Sequence, residues 1–194
     1  GNQNLMRGYM PVGLKKGTVE LVSHQKEWSE NANNIIGLLK QLLGDIAIDI
    51  QHIGSTAISS IHAKPIIDIA VAVNNLNDIP PYIEMLKQHN IIFRGERMAR
   101  EILFVIGDDE IRTHHIHIVK WNGTEWNNYI NFRDYLNEYP EKAILYDTCK
   151  QKLAMLFSND RKSYTARKER IIQRLLAEAK IWKLGLTTTP SELV

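Results

Sequence analysis

The residues best suited to bind a phosphate group lie at positions 52–56, which read His-Ile-Gly-Ser-Thr. A strand that stops at Gly54 and turns through Ser55 and Thr56 offers unblocked backbone N–H groups and two hydroxyls to phosphate oxygens. Glycine suits this role because a Cβ atom would hold the ligand away from the backbone. The same Ser-Thr pair would also serve as an ordinary helix cap, so the sequence leaves both interpretations open.

A carboxylate follows on the next predicted strand, at Asp68, shortly after Lys64. Strand side chains alternate between faces, so Asp68 shares its face with Ala70 and Ala72. Small neighbours leave room for a metal ion or a substrate, and an ionised carboxylate is seldom buried without a partner. We therefore expect Asp68 to meet a cation or Lys64, although a lone aspartate can also accept hydrogen bonds from a neighbouring loop.

Two histidines, His115 and His117, form a second candidate cluster. On a strand their side chains share one face and start about 6.6 Å apart, given a rise of ~3.3 Å per residue, so both can ligate one ion. Neutral imidazole suits Zn²⁺ or Mn²⁺ better than Mg²⁺, which prefers oxygen. Two ligands alone do not make a site, and the alternative is one core histidine beside solvated ones.

The helical part of the chain adds phenols and cations. Tyr146 with Lys150 and Tyr164 with Lys168 are spaced i,i+4, which places each phenol and ammonium on one helix face. Together with Arg133 they would clamp an anion if they faced the phosphate cradle. If they faced solvent, they would be packing tyrosines, solubilising lysines and a surface ion pair between Arg133 and the aspartate that follows it.

Residues 161–183 carry eight basic and two acidic side chains, a local charge of +6, although the whole chain has a net charge of only +2. Such a run is typical either of a solvated helix face or of a contact surface for phosphate or RNA. The overall balance of 24 basic and 22 acidic residues argues against a dedicated nonspecific nucleic-acid binder. We therefore expect a nucleotide or another phosphorylated small molecule as the partner, before RNA.

Hydrophobic periodicity predicts the elements that must carry these residues. Helical spacing over 28–43, stopped by Gly44, predicts an amphipathic helix, and the spacing is helical again from Trp121 onward, with a last helix over about 163–183. A turn at 107–110 predicts a hairpin between the last two strands. Alternation or apolar runs predict strands at 18–22, 46–50, 67–73, 91–93, 101–106 and 111–119.

These elements predict an α+β fold, with a mixed β-sheet core followed by a helical C-terminal lobe. We expect one domain over 18–185, divided into an α/β lobe at 18–120 and a helical lobe at 121–185. A flexible arm at 1–17 and a tail at 186–194 would flank it.

Composition narrows the class further. The 194 residues are 44% hydrophobic, which suits a soluble globular domain. No apolar run approaches the ~20 residues that a membrane helix requires, so we expect no membrane association. A single cysteine, Cys149, and the absence of a secretory pattern predict a reducing compartment, the cytoplasm.

These features occur together and in an order that resembles the GrpB family, over roughly residues 18–180. The motifs that carry the resemblance are His52-Ile53-Gly54-Ser55-Thr56-Ala57, Ala63-Lys64-Pro65-Ile66-Ile67-Asp68-Ile69, His115-Ile116-His117, Phe132-Arg133-Asp134-Tyr135-Leu136 and Tyr164-x-x-x-Lys168. The resemblance implies a fold similar to the nucleotidyltransferase superfamily, in which Gly-Ser after a strand holds nucleotide phosphates and an Asp-x-Asp binds divalent metal.

The chain departs from that superfamily pattern at three points. Ala70 stands where the second aspartate is expected, and His115 and His117 stand where a third acidic residue usually lies. Members of the family occur fused to dephospho-CoA kinase, yet this chain has no P-loop motif, so kinase activity of that type is unsupported. One aspartate and two histidines suit a single softer ion better than the usual pair of metal ions.

Our first hypothesis is therefore a metal-dependent nucleotidyltransferase-like enzyme with an unknown acceptor. Asp68 and Ser55 would be its catalytic residues, and Asp68, His115 and His117 would hold Mg²⁺, Mn²⁺ or Zn²⁺. The expected phosphate- and nucleotide-binding residues are Gly54, Ser55, Thr56, Lys64, Arg133, Lys150, Tyr164 and Lys168. The alternatives are a catalytically degenerate nucleotide- or RNA-binding accessory domain and a zinc hydrolase built on the His-x-His strand, which lacks an obvious general base.

Overall fold

The computed structural model describes residues 12–15, 20–98 and 100–186. Within those ranges the strands are β1 (Leu14–Lys15), β2 (Asp49–Ile53), β3 (Ile67–Val73), β4 (Ile92–Arg97), β5 (Glu101–Gly107) and β6 (Ile111–Lys120). The α-helices are α1 (Lys26–Leu43), α2 (Ile83–Gln88), α3 (Thr124–Glu138), α4 (Pro140–Leu156) and α5 (Arg161–Lys183). The fold is thus α+β, as expected, with its three long C-terminal helices following the sheet.

The strands form one mixed sheet in the order β2-β3-β6-β5-β4, and β1 pairs with β6. Only β3 and β6 run parallel among these strands, and they pair in the register that sets Asp68 beside His115 and Ala70 beside His117. The pair β2/β3 is antiparallel and sets Ile53 beside Asp68. The sheet therefore brings the end of β2, the carboxylate and both histidines to one place.

One face of the sheet is mainly apolar and packs on α1 and α2. Ile67, Ile69 and Val71 of β3 are fully buried there, together with Trp28 and Leu39 of α1. Helix α1 ends where the sequence predicts, because Gly44 adopts a positive φ of 56° that stops the helix.

The opposite face carries Asp68, His115 and His117 and is partly covered by α3. Trp126 of α3 packs against Ala70, Ala72 and Val119, which are all buried. The small side chains therefore admit a tryptophan rather than a ligand, and the open space on this face lies at the Asp68 end of β3. Helices α3, α4 and α5 pack on one another around a separate cluster that includes Leu136, Tyr146, Leu175 and Ala179.

Several boundaries differ from the expectation. Residues Gly44–Ile46 form a 3-10 turn, so β2 begins at Asp49 rather than at Ile46. Inside the stretch expected to be a flexible arm, Leu14 pairs with Arg112, and the Gly13 N–H donates to the carbonyl of Pro65 at 2.6 Å. The rest of the predicted arm, the start of the predicted strand 18–22 and positions 187–194 of the predicted tail lie outside the described residues.

Among the residues that the structure describes, no helix is both long enough and apolar enough to cross a lipid bilayer.

Candidate functional site

The turn after β2 is built against Asp68. Gly54 has a φ of +74°, and a Cβ atom placed on it would come within 2.8 Å of Asp68 Oδ2. A side chain at position 54 would therefore meet the carboxylate before it met any ligand. Residues Ser55–Ala57 then form a single 3-10 turn, which leaves Ser55 at the mouth of the site.

A histidine on the other face of β2 holds this turn in place. Thr56 is buried, and its Oγ1 lies 2.8 Å from Nε2 of His52. Burial lowers the pKa of His52 to about 4, so the ring is neutral at physiological pH. The neighbouring Ser55 has a different hydrogen-bond partner: its Oγ accepts a hydrogen bond from Lys150 Nζ at 3.2 Å.

Asp68 and the two histidines predicted as metal ligands do come together. Oδ1 of Asp68 lies 2.9 Å from His117 Nε2 and 3.6 Å from His115 Nδ1. One ligand atom from each of the three residues lies within 4.8 Å of the others, which is close enough to surround one ion. Burial alone would raise the pKa of the Asp68 carboxyl, but its contacts with His115 and His117 outweigh burial and hold that pKa well below its usual range.

His117 lies between two carboxylates. Its Nδ1 is 3.1 Å from Oε1 of Glu101, and the Tyr129 hydroxyl donates a hydrogen bond to that same oxygen. Burial would lower the pKa of His117, but the hydrogen bonds and negative charges of Asp68 and Glu101 prevail and raise it to about 9. In this state the ring is an imidazolium that donates to a carboxylate from each nitrogen.

A small cavity of about 190 Å³ opens beside this cluster. It is lined by Ser55, Thr56, Lys64, Ile66, Asp68, His115, Lys150, Tyr164 and Lys168. Most of the side chains predicted to bind phosphate, drawn from positions far apart in the sequence, thus face one small space.

Three lysines dominate the charge of the small cavity. Lys64 Nζ and Lys168 Nζ lie 5.5 and 5.0 Å from the centre of the Tyr164 ring, and Lys150 Nζ lies 4.8 Å from that of Tyr146. Burial, followed by repulsion from Lys168, lowers the pKa of both Lys64 and Lys150 to about 7. An anion in this space would relieve the repulsion and return the protons to the ammonium groups.

Tyr164 lines the small cavity and carries a buried hydroxyl without a partner in the described ranges. Its side chain is fully buried, and its hydroxyl has no hydrogen-bond partner among the described residues. A buried hydroxyl without a hydrogen-bond partner costs free energy, so this tyrosine is retained at a cost to stability.

A larger cavity of about 490 Å³ adjoins the small one, and both are lined by Ser55, Asp68 and Lys168. Its remaining walls combine aromatic, polar and apolar side chains: Gly54, Glu125, Asn128, Tyr129, Phe132, Tyr146, Glu169, Ile172, Gln173 and Leu176. The two spaces together suit a molecule with a strongly anionic end and a larger, weakly charged, partly aromatic body.

Comparison with known proteins identifies the chain's relatives. Residues 18–178 match the model of a family described as GrpB protein. The chain belongs to the GrpB family. It is 38% identical over 172 residues to the glutamate-rich protein GrpB of Alkalihalophilus pseudofirmus, a match that covers 86% of this chain and 99% of that protein. It is also 31% identical over 180 residues to the UPF0157 protein YqkA of Bacillus subtilis, covering 92% of this chain and 52% of that protein.

Solved structures agree with the fold of this GrpB chain. The crystal structure of conserved protein GrpB from Enterococcus faecalis superposes with a TM-score of 0.74 at 29% identity, covering 82% of this chain and 98% of that one. A mutant of the Cid1 poly(U) polymerase bound to MgATP superposes with a TM-score of 0.50 at 15% identity, covering 70% of this chain and 44% of that one. The second likeness concerns the fold alone, which is nucleotidyltransferase-like, as expected.

Arg133, which the sequence predicted to bind phosphate, lines neither cavity. Arg133 Nη1 donates to Gln51 Oε1 at 2.9 Å and to the backbone carbonyl of His52 at 3.0 Å, and its Nε donates to Asp134 at 2.9 Å. These bonds attach α3 to β2 and engage each nitrogen of the guanidinium, since Nη2 also lies 2.9 Å from Asp134. The structure therefore does not bring Arg133 to the lysine-lined cavity where the sequence predicted it.

Sequence reasoning missed two members of the site in this GrpB chain, Glu101 and Tyr129. Glu101 is only 6% exposed although it opens an otherwise apolar strand. A carboxylate at the start of such a strand is the same signal that singled out Asp68, and it could have been used. Tyr129 gave no signal, because nothing in its local sequence indicates that its hydroxyl reaches β5.

Proposed function

We propose that this protein binds a nucleotide together with a divalent cation and transfers the nucleotidyl group to an acceptor. The observation that carries the proposal is the junction of the two cavities at Ser55, Asp68 and Lys168. A phosphate chain in the lysine-lined cavity and a nucleoside in the larger cavity would place the α-phosphate at this junction, beside the candidate metal ligands.

The side chains at the junction fit one ion rather than two. Asp68, His115 and His117 would hold it through one carboxylate oxygen and two imidazole nitrogens, a donor set that suits Zn²⁺ or Mn²⁺ better than Mg²⁺. A two-ion site would need a second carboxylate, and position 70 carries alanine. Such an ion would supply positive charge that polarises the α-phosphate.

In the proposed reaction the oxygen of an acceptor hydroxyl forms a bond to the α-phosphorus and the hydroxyl proton passes to water, while the bond from that phosphorus to the oxygen that bridges it to the β-phosphorus breaks. Pyrophosphate leaves with the electron pair of the broken bond. Lys64, Lys150 and Lys168 neutralise the charge that gathers on it, and Ser55 orients the phosphate chain by hydrogen bonding. The enclosed cavity limits water around these ammonium groups, which strengthens their interaction with the phosphates.

A second candidate is an accessory domain that binds a nucleotide or RNA without turnover. The alanine at position 70 favours it, because a site with a single carboxylate provides fewer means of aligning an attacking oxygen. The positive charge of residues 161–183 favours RNA as the ligand in that case.

Calorimetric titration with ATP, GTP, CTP and UTP, each with Mg²⁺, Mn²⁺ or Zn²⁺, tests the proposal. We expect a metal-dependent affinity that falls at least tenfold in Asp68→Asn and in Lys168→Met, since a charged hydrogen bond contributes about 1.5–3 kcal/mol. Lys152→Met is the matched control, because Lys152 is exposed on the helix that carries Lys150. Absence of binding to all four nucleotides would overturn the proposal.

Pyrophosphate release separates the two candidates. Release from a bound nucleotide when an RNA or small hydroxyl acceptor is added supports the transferase. Tight nucleotide binding without release, or a steep fall of RNA affinity with salt, supports the accessory domain.

A further inference from the structure

Glu101 is a buried carboxylate that lines neither cavity. It lies on the opposite side of the His117 ring from Asp68, because His117 meets Asp68 through Nε2 and Glu101 through Nδ1. Oε1 of Glu101 also accepts the hydrogen bond of the Tyr129 hydroxyl, so a single oxygen joins β5, β6 and α3. An ionised carboxylate only accepts hydrogen bonds, and Nδ1 of His117 must therefore carry a hydrogen.

This arrangement decides which nitrogen of His117 can ligate an ion, because an ion has to displace only the Nε2 proton that the free protein directs at Asp68. With Nδ1–H directed at Glu101, Nε2 faces Asp68 and the side of the site where His115 lies. Histidines that ligate metals commonly donate their other ring N–H to a carboxylate, which sets the ring orientation and strengthens the ligand. The Nδ1–H···Glu101 bond and the ring orientation are already in place before any ion is bound, and ion binding would release the Nε2 proton.

The two histidines differ in how firmly they are held. The His117 side chain is 11% exposed and is bonded at both nitrogens, whereas the His115 side chain is 30% exposed and lines the small cavity. His117 and Asp68 thus form the preorganised side of the cluster, and His115 forms its accessible side.

We propose that Glu101, held by Tyr129, is a positioning residue that presents Nε2 of His117 to one divalent ion of the Zn²⁺ or Mn²⁺ class. The inference rests on the proposed function, because it concerns the same ion at Asp68, His115 and His117. It adds that the affinity for this ion depends on a carboxylate that touches neither the ion nor the nucleotide.

Calorimetric titration of the full chain with Zn²⁺ alone, and separately with Mn²⁺ alone, tests this role. We expect Glu101→Leu to weaken binding 10- to 100-fold, the usual effect of losing a carboxylate behind a ligating histidine. Glu101→Gln retains an accepting oxygen without the charge and should fall between Glu101→Leu and the wild type. Tyr129→Phe keeps the carboxylate and should have a smaller effect of the same sign.

Glu178 provides a matched control. It is also 6% exposed, and it accepts a hydrogen bond from the Tyr135 hydroxyl at 3.0 Å, but it lies in the helical cluster away from both histidines. Glu178→Leu likewise removes a buried, hydrogen-bonded carboxylate, one that also pairs with Lys142 at 3.4 Å, and we expect it to leave the ion affinity unchanged.

NMR spectroscopy of the His117 ring distinguishes a positioning role of Glu101 from a merely structural one. In the Zn²⁺-loaded wild type, ¹⁵N NMR of the His117 ring should report a protonated Nδ1 and a ligating Nε2, whereas Glu101→Leu should show a mixture of ring states. If circular dichroism shows that Glu101→Leu is unfolded, Tyr129→Phe and Glu101→Gln are compared with the wild type in its place.

The possible failures can be told apart. A Glu101→Leu protein that binds Zn²⁺ as tightly as the wild type, with Nδ1 still protonated, would overturn the inference while Asp68→Asn still shows that the ion site exists. A wild-type protein that binds neither ion would overturn the metal centre of the proposed function, and the inference with it.

Discussion

Ala70 lies directly beside His117 in the parallel pair of β3 and β6, and it is fully buried against Trp126. The position at which the nucleotidyltransferase pattern has its second aspartate is thus part of the hydrophobic core here. The space next to it on the neighbouring strand is taken by an imidazole that already bonds to two carboxylates. A single-ion site is consistent with this packing.

Restoring the second aspartate should therefore harm the protein. We expect Ala70→Asp to lower the free energy of unfolding by about 2 kcal/mol or more, because it buries a polar group beneath Trp126. Urea denaturation measures this change, and Ala70→Ser is a control of similar size. A stable Ala70→Asp protein that gains affinity for Mg²⁺ would contradict this description of position 70.

Gly54→Ala tests the contact between the turn and the carboxylate. The added Cβ would lie 2.8 Å from Asp68 Oδ2 at a positive φ, so we expect both lower stability and weaker binding of Zn²⁺ or Mn²⁺. Gly37→Ala is the control, because Gly37 lies in α1 with open space around it, and alanine there should stabilise the helix by about 0.5–1 kcal/mol. Unchanged ion affinity in Gly54→Ala would show that Asp68 adjusts without loss.

The buried lysines predict a pH dependence of stability. Lys150 has a pKa of about 7 in the folded protein and an ordinary value of 10.5 in the unfolded chain, so between these values the unfolded chain binds the extra proton. Its contribution to the free energy of unfolding therefore rises with pH across this window, by up to about 1.4 kcal/mol per pH unit. Lys150→Met should remove that rise, whereas Lys152→Met should not.

The same lysines should link anion binding to proton uptake. At pH 8 the free protein holds Lys64 and Lys150 largely deprotonated, and a bound pyrophosphate would draw protons back to them. Titration calorimetry in buffers of different ionisation enthalpy should show net uptake, and pyrophosphate affinity should fall as the pH rises above 7. Equal heats in all buffers would contradict the assigned proton states.

Arg133 should behave as a connection between α3 and β2 rather than as a phosphate ligand. We expect Arg133→Met to lower the free energy of unfolding by about 1–3 kcal/mol, since it leaves Gln51 and the His52 carbonyl without their donor. Pyrophosphate affinity, measured at a temperature where the variant is folded, should change less than twofold. A tenfold loss of pyrophosphate affinity would instead support the phosphate-binding role that the motif suggested for Arg133.

Whether a site residue could be predicted from the sequence depends on how far apart along the chain its partners lie. Ser55, Asp68 and His115 could be predicted because strand alternation and a glycine turn are local rules. Lys150 and Lys168 could be nominated from helical spacing, but only the packing of α4 and α5 turns them toward Ser55. Arg133 was assigned to the phosphate site because its motif suggested a cation clamp, whereas the contacts between α3 and β2 decide where the guanidinium points.

The roles of Glu101 and Tyr129 could not be predicted from the sequence. They join His117 through tertiary contacts between β5, β6 and α3, and no spacing rule along the chain connects them. Periodicity likewise placed the start of β2 too early, because it does not register the 3-10 turn that Gly44 initiates.

Helix α5 contributes residues to both cavities, with Tyr164 and Lys168 at one and Lys168, Ile172 and Leu176 at the other. These positions recur every four residues, so they form a single row along one face of the helix. The helical repeat therefore fixes how the residues of the larger cavity are oriented relative to those of the small cavity. One inserted or deleted residue after Lys168 would rotate Ile172 and Leu176 about the helix axis by about 100°. The spacing of the residues in this row is therefore constrained independently of which side chains the row carries.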